Sequence, residues 1–379
     1  MTALKVKKID EEAFAGLEST WRDLLLQSDA DPLFMSWPWL YSWWNTWGHE
    51  LGLELLLLCV SDTDDNLVGI APLYRHRLQT RIGIPVVRLH FLGNARGISP
   101  TVRTEYTGLI ACRGSEQAVA LAVSSFLKKE SWDELVICDA VDVSLNYIRN
   151  GFQQAGAAVE DFSRNETQGI RINTAVDFDH WLSLLGRNTR LKAYNRRSIF
   201  KKELDGNLSF VGSDPKEQIF FFEQLNKMHI RRWGKPCFDP RALVFHLDFL
   251  GRLSDNQIAK LSILTCKDLV VAAQYDVQAA DRRYNLQSGF EEHFDPRISL
   301  GTLHFGYAIE SAFRDDHVAY YDLLAGQGKN TFFKERFKGV HVYFHTRHYA
   351  RNNWLRLIYR SRGHMPVFLR KAIKKILKF

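Results

Sequence analysis

Four side chains stand where their chemistry could matter. Glu105 and Tyr106 open the apolar run "EYTGL", His229 sits in "LNKMHIRRWG", and Asp322 interrupts "YYDLL". A carboxylate entering a strand can take a proton from an amine or hydroxyl, or orient a hydroxylated ligand. It is equally a polar start to an edge strand. His229 falls four residues after Leu225 and four before Trp233, on one helix face. There it acts either as a proton acceptor, with Arg232 beside it to hold an anionic group, or as an ordinary core residue. An unpaired charge inside an apolar strand is costly. Asp322 therefore has either a partner, with Lys334 the nearby cation, or a task. No histidine or carboxylate follows His229 at i+4, so a helix-borne metal site is not expected.

Two glycine-bearing stretches add a place for an anion. "SLGTLHFGYAIESAF" reads as a strand–turn–helix junction with Ser299 as N-cap. Gly301 lets the backbone approach a ligand, and the first-turn amides of Gly301, Thr302 and Leu303 suit a negative charge; a plain structural turn is the other reading. "YYDLLAGQGKNTFFKERF" reads as a strand that ends in Gly326 and Gly328, followed by an aromatic–lysine cluster. Lys334 goes either to a phosphate or to Asp322.

The elements that must position these residues come in two similar series. The first half gives a short strand, a helix over 11–27, a helix opening at Ser36, and the hairpin "LELLLLCVSDTDDNLVGIAPLYRHRL". Strands at "VVRLHFLG" and "TEYTGLIA", a helix capped by Ser115 and the buried strand "DELVICDAV" follow. The second half repeats this order. It gives helices over 217–233 and 240–253, strands through "AKLSILTCKDLVVAAQYDVQAADRRYNLQSGF", the helix after Ser299 and the strand "VAYYDLLAG". The matching order and turn placement point to duplication of one α+β unit, at a period longer than any solenoid repeat.

Charge and composition narrow the function classes. The chain has 379 residues, a net charge of +7 and 13% aromatics, which suits two packed domains and acidic partners. The joining segment "LLGRNTRLKAYNRRSIFKKELDG" sets Arg187, Arg190, Arg197 and Lys201 on one helix face with Tyr194. Such a stripe is either solvated or holds a phosphate of a nucleotide-linked sugar, a lipid-linked precursor or tRNA. From His341 to the end there is no Asp or Glu, and residues 366–379 form an amphipathic cationic pattern suited to an anionic membrane surface. Five scattered cysteines without a CxxC pair argue against a zinc or redox motif and for a reducing compartment. No apolar run reaches a membrane span, and the first residues lack a signal-peptide pattern. Serine-hydrolase elbows and Walker-type loops are absent.

Taken in order, "FMSWPWLYSWW", "FLGN…TEYTGLI", "RNTRLKAYNRRSIFKKEL", "LNKMHIRRWG", "YNLQSGFEEHFDPRISLGTLHFGYAIE" and "YYDLLAGQGKNTFFKERF" resemble the tandem GNAT-fold acyltransferases related to the FemAB peptidyltransferases, nearest their CelD-like branch. The likeness spans roughly residues 30–340. One departure is "RISLGTLHFG", which has a single glycine at the turn where typical GNAT proteins have Arg/Gln-x-x-Gly-x-Gly/Ala.

The resemblance implies an α+β fold of two GNAT-like domains, each a mixed, mostly antiparallel sheet flanked by helices. The expected boundaries are 1–175, a basic linker helix 176–210, 211–345, and a basic tail 346–379. It implies direct transfer of an acyl group from acetyl-CoA or another acyl-CoA, used as a co-substrate with no permanently bound cofactor. Glu105, His229 and Asp322 are then the catalytic candidates, and Ser299, Gly301, Thr302 and Lys334 the donor-binding ones. Tyr106, Arg190, Arg197 and Arg232 would meet the acceptor, a sugar or cell-envelope (exopolysaccharide) precursor. A cytoplasmic protein, peripheral at the inner face of the membrane, is the matching location. An aminoacyl-tRNA donor, or a non-catalytic role beside a polysaccharide synthase, are the rival expectations.

Overall fold

The computed structural model describes residues 4–80, 83–326 and 333–361. The chain divides into two compact units, Met1–Glu166 with Tyr343–Phe379, and Thr167–Val342. Gly328 and residues 366–379, singled out above, lie outside the described residues.

The first unit opens with β1 (Lys5–Ile9), α1 (Glu11–Ala15), α2 (Glu18–Leu26) and α3 (Trp37–Trp47). The single helix expected over 11–27 is broken at Gly16, after Asp10 caps α1 by accepting from the Ala13 amide. Ser36 caps α3 through the Trp39 amide, with Pro38 in the first turn, where a missing N–H costs nothing. Then come β2 (Glu54–Ser61), β3 (Leu67–Gln79), β4 (Pro85–Phe91), β5 (Ile110–Ala111), α4 (Glu116–Lys129), β6 (Glu134–Ala140) and α5 (Asp142–Gln154). Strands β1 to β4 form an antiparallel meander. Helix α4 carries the chain across to β6, which lies parallel to β4. Leu56, Leu58 and Ile137 of the sheet bury against Val119, Val123 and Ile148 of α4 and α5.

Strand β7 (Glu160–Asn173) leads into the second unit. The basic segment is not one helix. It folds as α6 (Phe178–Leu184), α7 (Arg187–Arg190), a π-helical turn over Leu191–Asn195, and α8 (Arg197–Lys202). Next are β8 (Gly206–Val211), α9 (Pro215–Trp233), α10 (Pro240–Gly251), β9 (Gln257–Cys266), β10 (Leu269–Ala279), β11 (Arg282–Phe290), α11 (Leu300–Phe313) and β12 (Tyr320–Gly326). Strands β8 to β11 are antiparallel, and α11 crosses over to place β12 parallel to β11. Phe305 and Ile309 of α11 pack on Tyr321 and Leu323. On α9, Phe222 meets the Tyr275 ring edge-on at 5.3 Å.

β13 (Val340–Ala350) and α12 (Asn353–Ser361) are the last elements among the described residues. From Tyr343 on they belong to the first unit, where β13 pairs antiparallel with β6. Residues 346–350, expected in a basic tail, are therefore strand. The strand expected over 104–111 survives only at Ile110–Ala111, because Tyr106 adopts a left-handed φ of 54° that breaks the pleat.

The two units share more than element order. In each, the parallel pair is short, Arg88–His90 with Glu134–Val136 and Arg282–Tyr284 with Tyr320–Asp322. Just beyond it, each crossover strand carries a bulge. Cys138 and Asp139 oppose Thr346, and Leu323 and Leu324 oppose Ile170. The second bulge residue is left-handed in both, with φ of 50° at Asp139 and 58° at Leu324. Among the described residues no helix is long and apolar enough to cross a membrane, and no group of three His, Cys, Asp or Glu side chains could hold a metal ion.

Candidate active site

The second unit contains a fork. Among the described residues, parallel pairing of β11 and β12 stops at Tyr284 and Asp322, yet β11 runs on to Phe290 and β12 to Gly326. The strands therefore part toward their carboxyl ends, the usual entry for ligands in an open sheet with crossover helices. The first turn of α11 lies against this end, with Gly301 packed on the Phe290 ring. A Cβ at Gly301 would come within 2.6 Å of that ring, so the glycine is needed for ring packing, not for a left-handed backbone. Ser299 does not cap the helix; its Oγ lies 3.0 Å from Thr302 Oγ1. Without a side-chain cap, the amides of the first turn keep their donors and the positive end of the helix dipole. The Leu303 amide, expected to face an anion, instead bonds the Ser299 carbonyl at 2.9 Å.

His229 lies over the same end of β11. Leu225, Met228 and His229 all press on Gly289, where a Cβ would lie 2.8 Å from the Leu225 side chain. The bare Cα of Gly289 lets α9 settle low enough for His229 Nε2 to donate to the Ser288 carbonyl at 3.0 Å. A carbonyl only accepts, so the proton sits on Nε2 and Nδ1 is left with its lone pair. Burial lowers the imidazole pKa, opposed by the Ser288 hydrogen bond and helped by the Arg232 charge. His229 is thus neutral, with a defined tautomer. Three residues on, Arg232 pairs with Glu292 at 2.8 Å. Its guanidinium lies 4.7 Å from both the Trp233 and Phe290 rings, a cation–π bridge from α9 to the ring beneath Gly301.

Asp322 and Lys334 both serve the bulge. Asp322 is fully buried, accepts from the Leu324 amide at 2.8 Å and pairs with Arg171 at 3.2 Å. The Lys334 ammonium donates to the carbonyls of Leu323, Leu324 and Ala325. Together they hold the left-handed Leu324 in a conformation that a branched side chain disfavours. The two residues, expected either to pair or to serve as a catalytic group and a phosphate ligand, thus both fasten one jaw of the fork.

Arg190 donates to the Ser183 carbonyl at 3.3 Å. Arg197 pairs with Glu310 of α11 and lies between the rings of Tyr194 and Tyr307, 4.6 and 3.9 Å from their centres. It locks the π-helical turn onto α11, so the even cationic face expected of this segment does not form. Glu105 and Tyr106 are in the first unit. Glu105 is buried and pairs at 3.3 Å with Arg103, which also chelates Asp139 of the bulge at 3.0 and 2.7 Å. Tyr106 stacks on Phe34 and meets Phe344 edge-on.

Sequence reading passed over Asp276. It lies fully buried at the root of the fork and is held by Gln274, Asn285 and Tyr321. Its signal was faint: a polar stripe at Gln274, Asp276 and Gln278 within a strand whose other face is apolar.

Residues 187–338, nearly all of the second unit, match the family model of the acetyltransferase (GNAT) domain. No curated protein matches the chain by sequence. The crystal structure of FemX superimposes over 94% of this chain and 100% of its own, with a TM-score of 0.63 and 12% identity. A conserved protein of unknown function from Bacteroides thetaiotaomicron covers 92% of this chain and 99% of its own, with a TM-score of 0.52 and 12% identity. The second unit thus carries the acetyltransferase (GNAT) domain, and the chain as a whole has the fold of FemX.

Proposed function

We propose that the second unit binds an acyl-CoA in the fork between β11 and β12 and passes its acyl group directly to an amine or hydroxyl of a sugar or cell-envelope precursor. The observation that carries this reading is His229, neutral and tautomer-fixed on the carboxyl end of β11. An acceptor nucleophile loses its proton to Nδ1 as it attacks the thioester carbonyl. The tetrahedral oxyanion is steadied by backbone amides of the parted strands. The acyl–oxygen or acyl–nitrogen bond forms, the acyl–sulfur bond breaks, and CoA thiolate leaves and is reprotonated. The donor's pyrophosphate rests on the first turn of α11, at Ser299, Gly301 and Thr302. Asp322 and Lys334 act at one remove, by holding the bulge that forms one jaw.

Calorimetric titration with acetyl-CoA tests the donor. Binding is expected for the wild type. Gly301→Val, whose side chain collides with Phe290, is expected to weaken it by about tenfold or more. An unchanged affinity would move the pyrophosphate elsewhere. Absence of CoA binding with RNase-sensitive transfer would replace acyl-CoA by aminoacyl-tRNA as donor.

A second element of the proposal concerns residues 366–379, whose cations would meet an anionic membrane surface at about 1 kcal/mol each. Deleting them is expected to abolish co-sedimentation with anionic vesicles. Undiminished sedimentation would end the membrane reading.

A further inference from the structure

The carboxyl group of Asp276 gathers three strands at one point. On its own strand β10, Gln274 Nε2 donates to it at 2.9 Å. From β11, Asn285 Nδ2 donates at 2.8 Å. From β12, the Tyr321 hydroxyl reaches past β11 and donates at 2.8 Å. Asn285 also donates to Ser288 Oγ at 3.2 Å, and Ser288 is the residue whose carbonyl fixes His229. These bonds sit where parallel pairing ends, since Tyr321 and Tyr284 are within the last paired positions. A β-bulge in the β10–β11 register between Tyr275 and Asp276 marks the same place.

A buried carboxylate this far from solvent is an expensive way to hold a sheet together, and apolar residues would do it more cheaply. Its partners are specific. Gln274 Oε1 is buried with no hydrogen-bond partner, so the amide is turned to give its donors to Asp276 and Tyr321. A cavity of about 20 Å³ lies against the group, lined by Ser262, His304, Tyr307 and Ser311 as well. It has room for a water molecule and polar partners to hold one.

We infer that Asp276 is a positioning residue for acyl transfer: by holding Tyr321 of β12 and Asn285 of β11 on one carboxyl group, it fixes where the two strands part and so sets the opening that receives the donor. Burial raises the Asp276 pKa against its hydrogen bonds from Asn285, Gln274 and Tyr321. The inference rests on the fork being the donor site, and its test separates the two.

Amide hydrogen exchange on the full chain is compared for wild type, Tyr321→Phe, Asp276→Asn and Asp276→Ala. Tyr321→Phe keeps the ring in the core and removes only the hydroxyl. It is expected to speed exchange at residues 286–290 and 323–326 by about tenfold or more, with β8 and β9 unchanged, and to weaken acetyl-CoA binding by a similar factor. Asp276→Asn, of the same size and still able to hydrogen-bond, is expected to restrain the fork better than Asp276→Ala. A uniform rise in exchange across the unit, or none at the fork, would overturn the inference. Wild-type protein that fails to bind acetyl-CoA, while Tyr321→Phe still loosens only the fork, would sink the donor assignment and leave the positioning role in place.

Discussion

His229→Gln is expected to slow acyl transfer by roughly 10²–10⁴-fold, the usual worth of a positioned general base. Glutamine can still donate to the Ser288 carbonyl, so α9 keeps its seat on Gly289 and donor affinity stays near wild type. Only the basic lone pair is lost. The pH profile supplies an independent reading. The base works in its neutral form, and burial lowers its pKa below the usual histidine value. Activity of the wild type should therefore persist into mildly acidic solution and fall only as pH drops through that lowered value. A variant that transfers at the wild-type rate, or a wild-type acid limb above the ordinary histidine range, would remove His229 from the chemistry.

Glu134→Ala is expected to cost about 3–5 kcal/mol of stability, because it strands a buried charge. Glu134 is fully inaccessible, and its carboxylate pairs with Arg88 of β4. It accepts from the Tyr359 hydroxyl of α12 at 2.6 Å and meets His348 Nδ1 of β13 at 3.0 Å. Arg164 stacks over the Tyr359 ring at 3.7 Å and completes the cluster. For a unit of this size the loss should appear as a fall in melting temperature of about 10 °C. Burial alone would raise the Glu134 pKa, but hydrogen bonds from His348 and Tyr359 and the Arg88 charge hold it well below the ordinary carboxylate range. A depressed folded value stabilises above the unfolded pKa and loses that contribution as pH falls through the folded one. The wild type should thus lose stability in strong acid by a margin that Glu134→Ala lacks. A melting temperature within about 2 °C of wild type would show the cluster to be energetically idle.

His229 and Asp322 show what could be read from the chain. Helical spacing put His229 and Trp233 on one face, and the apolar setting of Asp322 announced a buried acid. Both readings needed only local pattern. Asp276 obeys the same burial logic as Asp322 but escaped it. Gln274, Asp276 and Gln278 alternate with apolar residues, and a strand with one solvated face looks the same. Whether such a stripe faces water or a helix depends on α11, which comes later in the chain. The bulge at Leu324 left no trace, since nothing in a leucine marks a left-handed φ. Nor could "VHVYFHTRHYA" reveal its place in the first unit. Its histidines and arginine look cationic and exposed until Glu134 is set opposite them.

The return of β13 has a consequence for how the protein is made. His348 and Tyr359 lie 214 and 225 residues beyond Glu134 in the chain. At a synthesis rate of roughly 5–20 residues per second, β6 therefore waits roughly 10–40 s with a bare hydrogen-bonding edge and a half-satisfied carboxylate. The unit that leaves the ribosome first is the last to be completed, and a nascent chain caught in that interval has an unpaired strand to offer its neighbours. Expression at low temperature, or with chaperones that shield strand edges, should raise the soluble yield. Shortening the chain from its carboxyl end into Tyr343–Ala350 should be felt first at the amino-terminal unit.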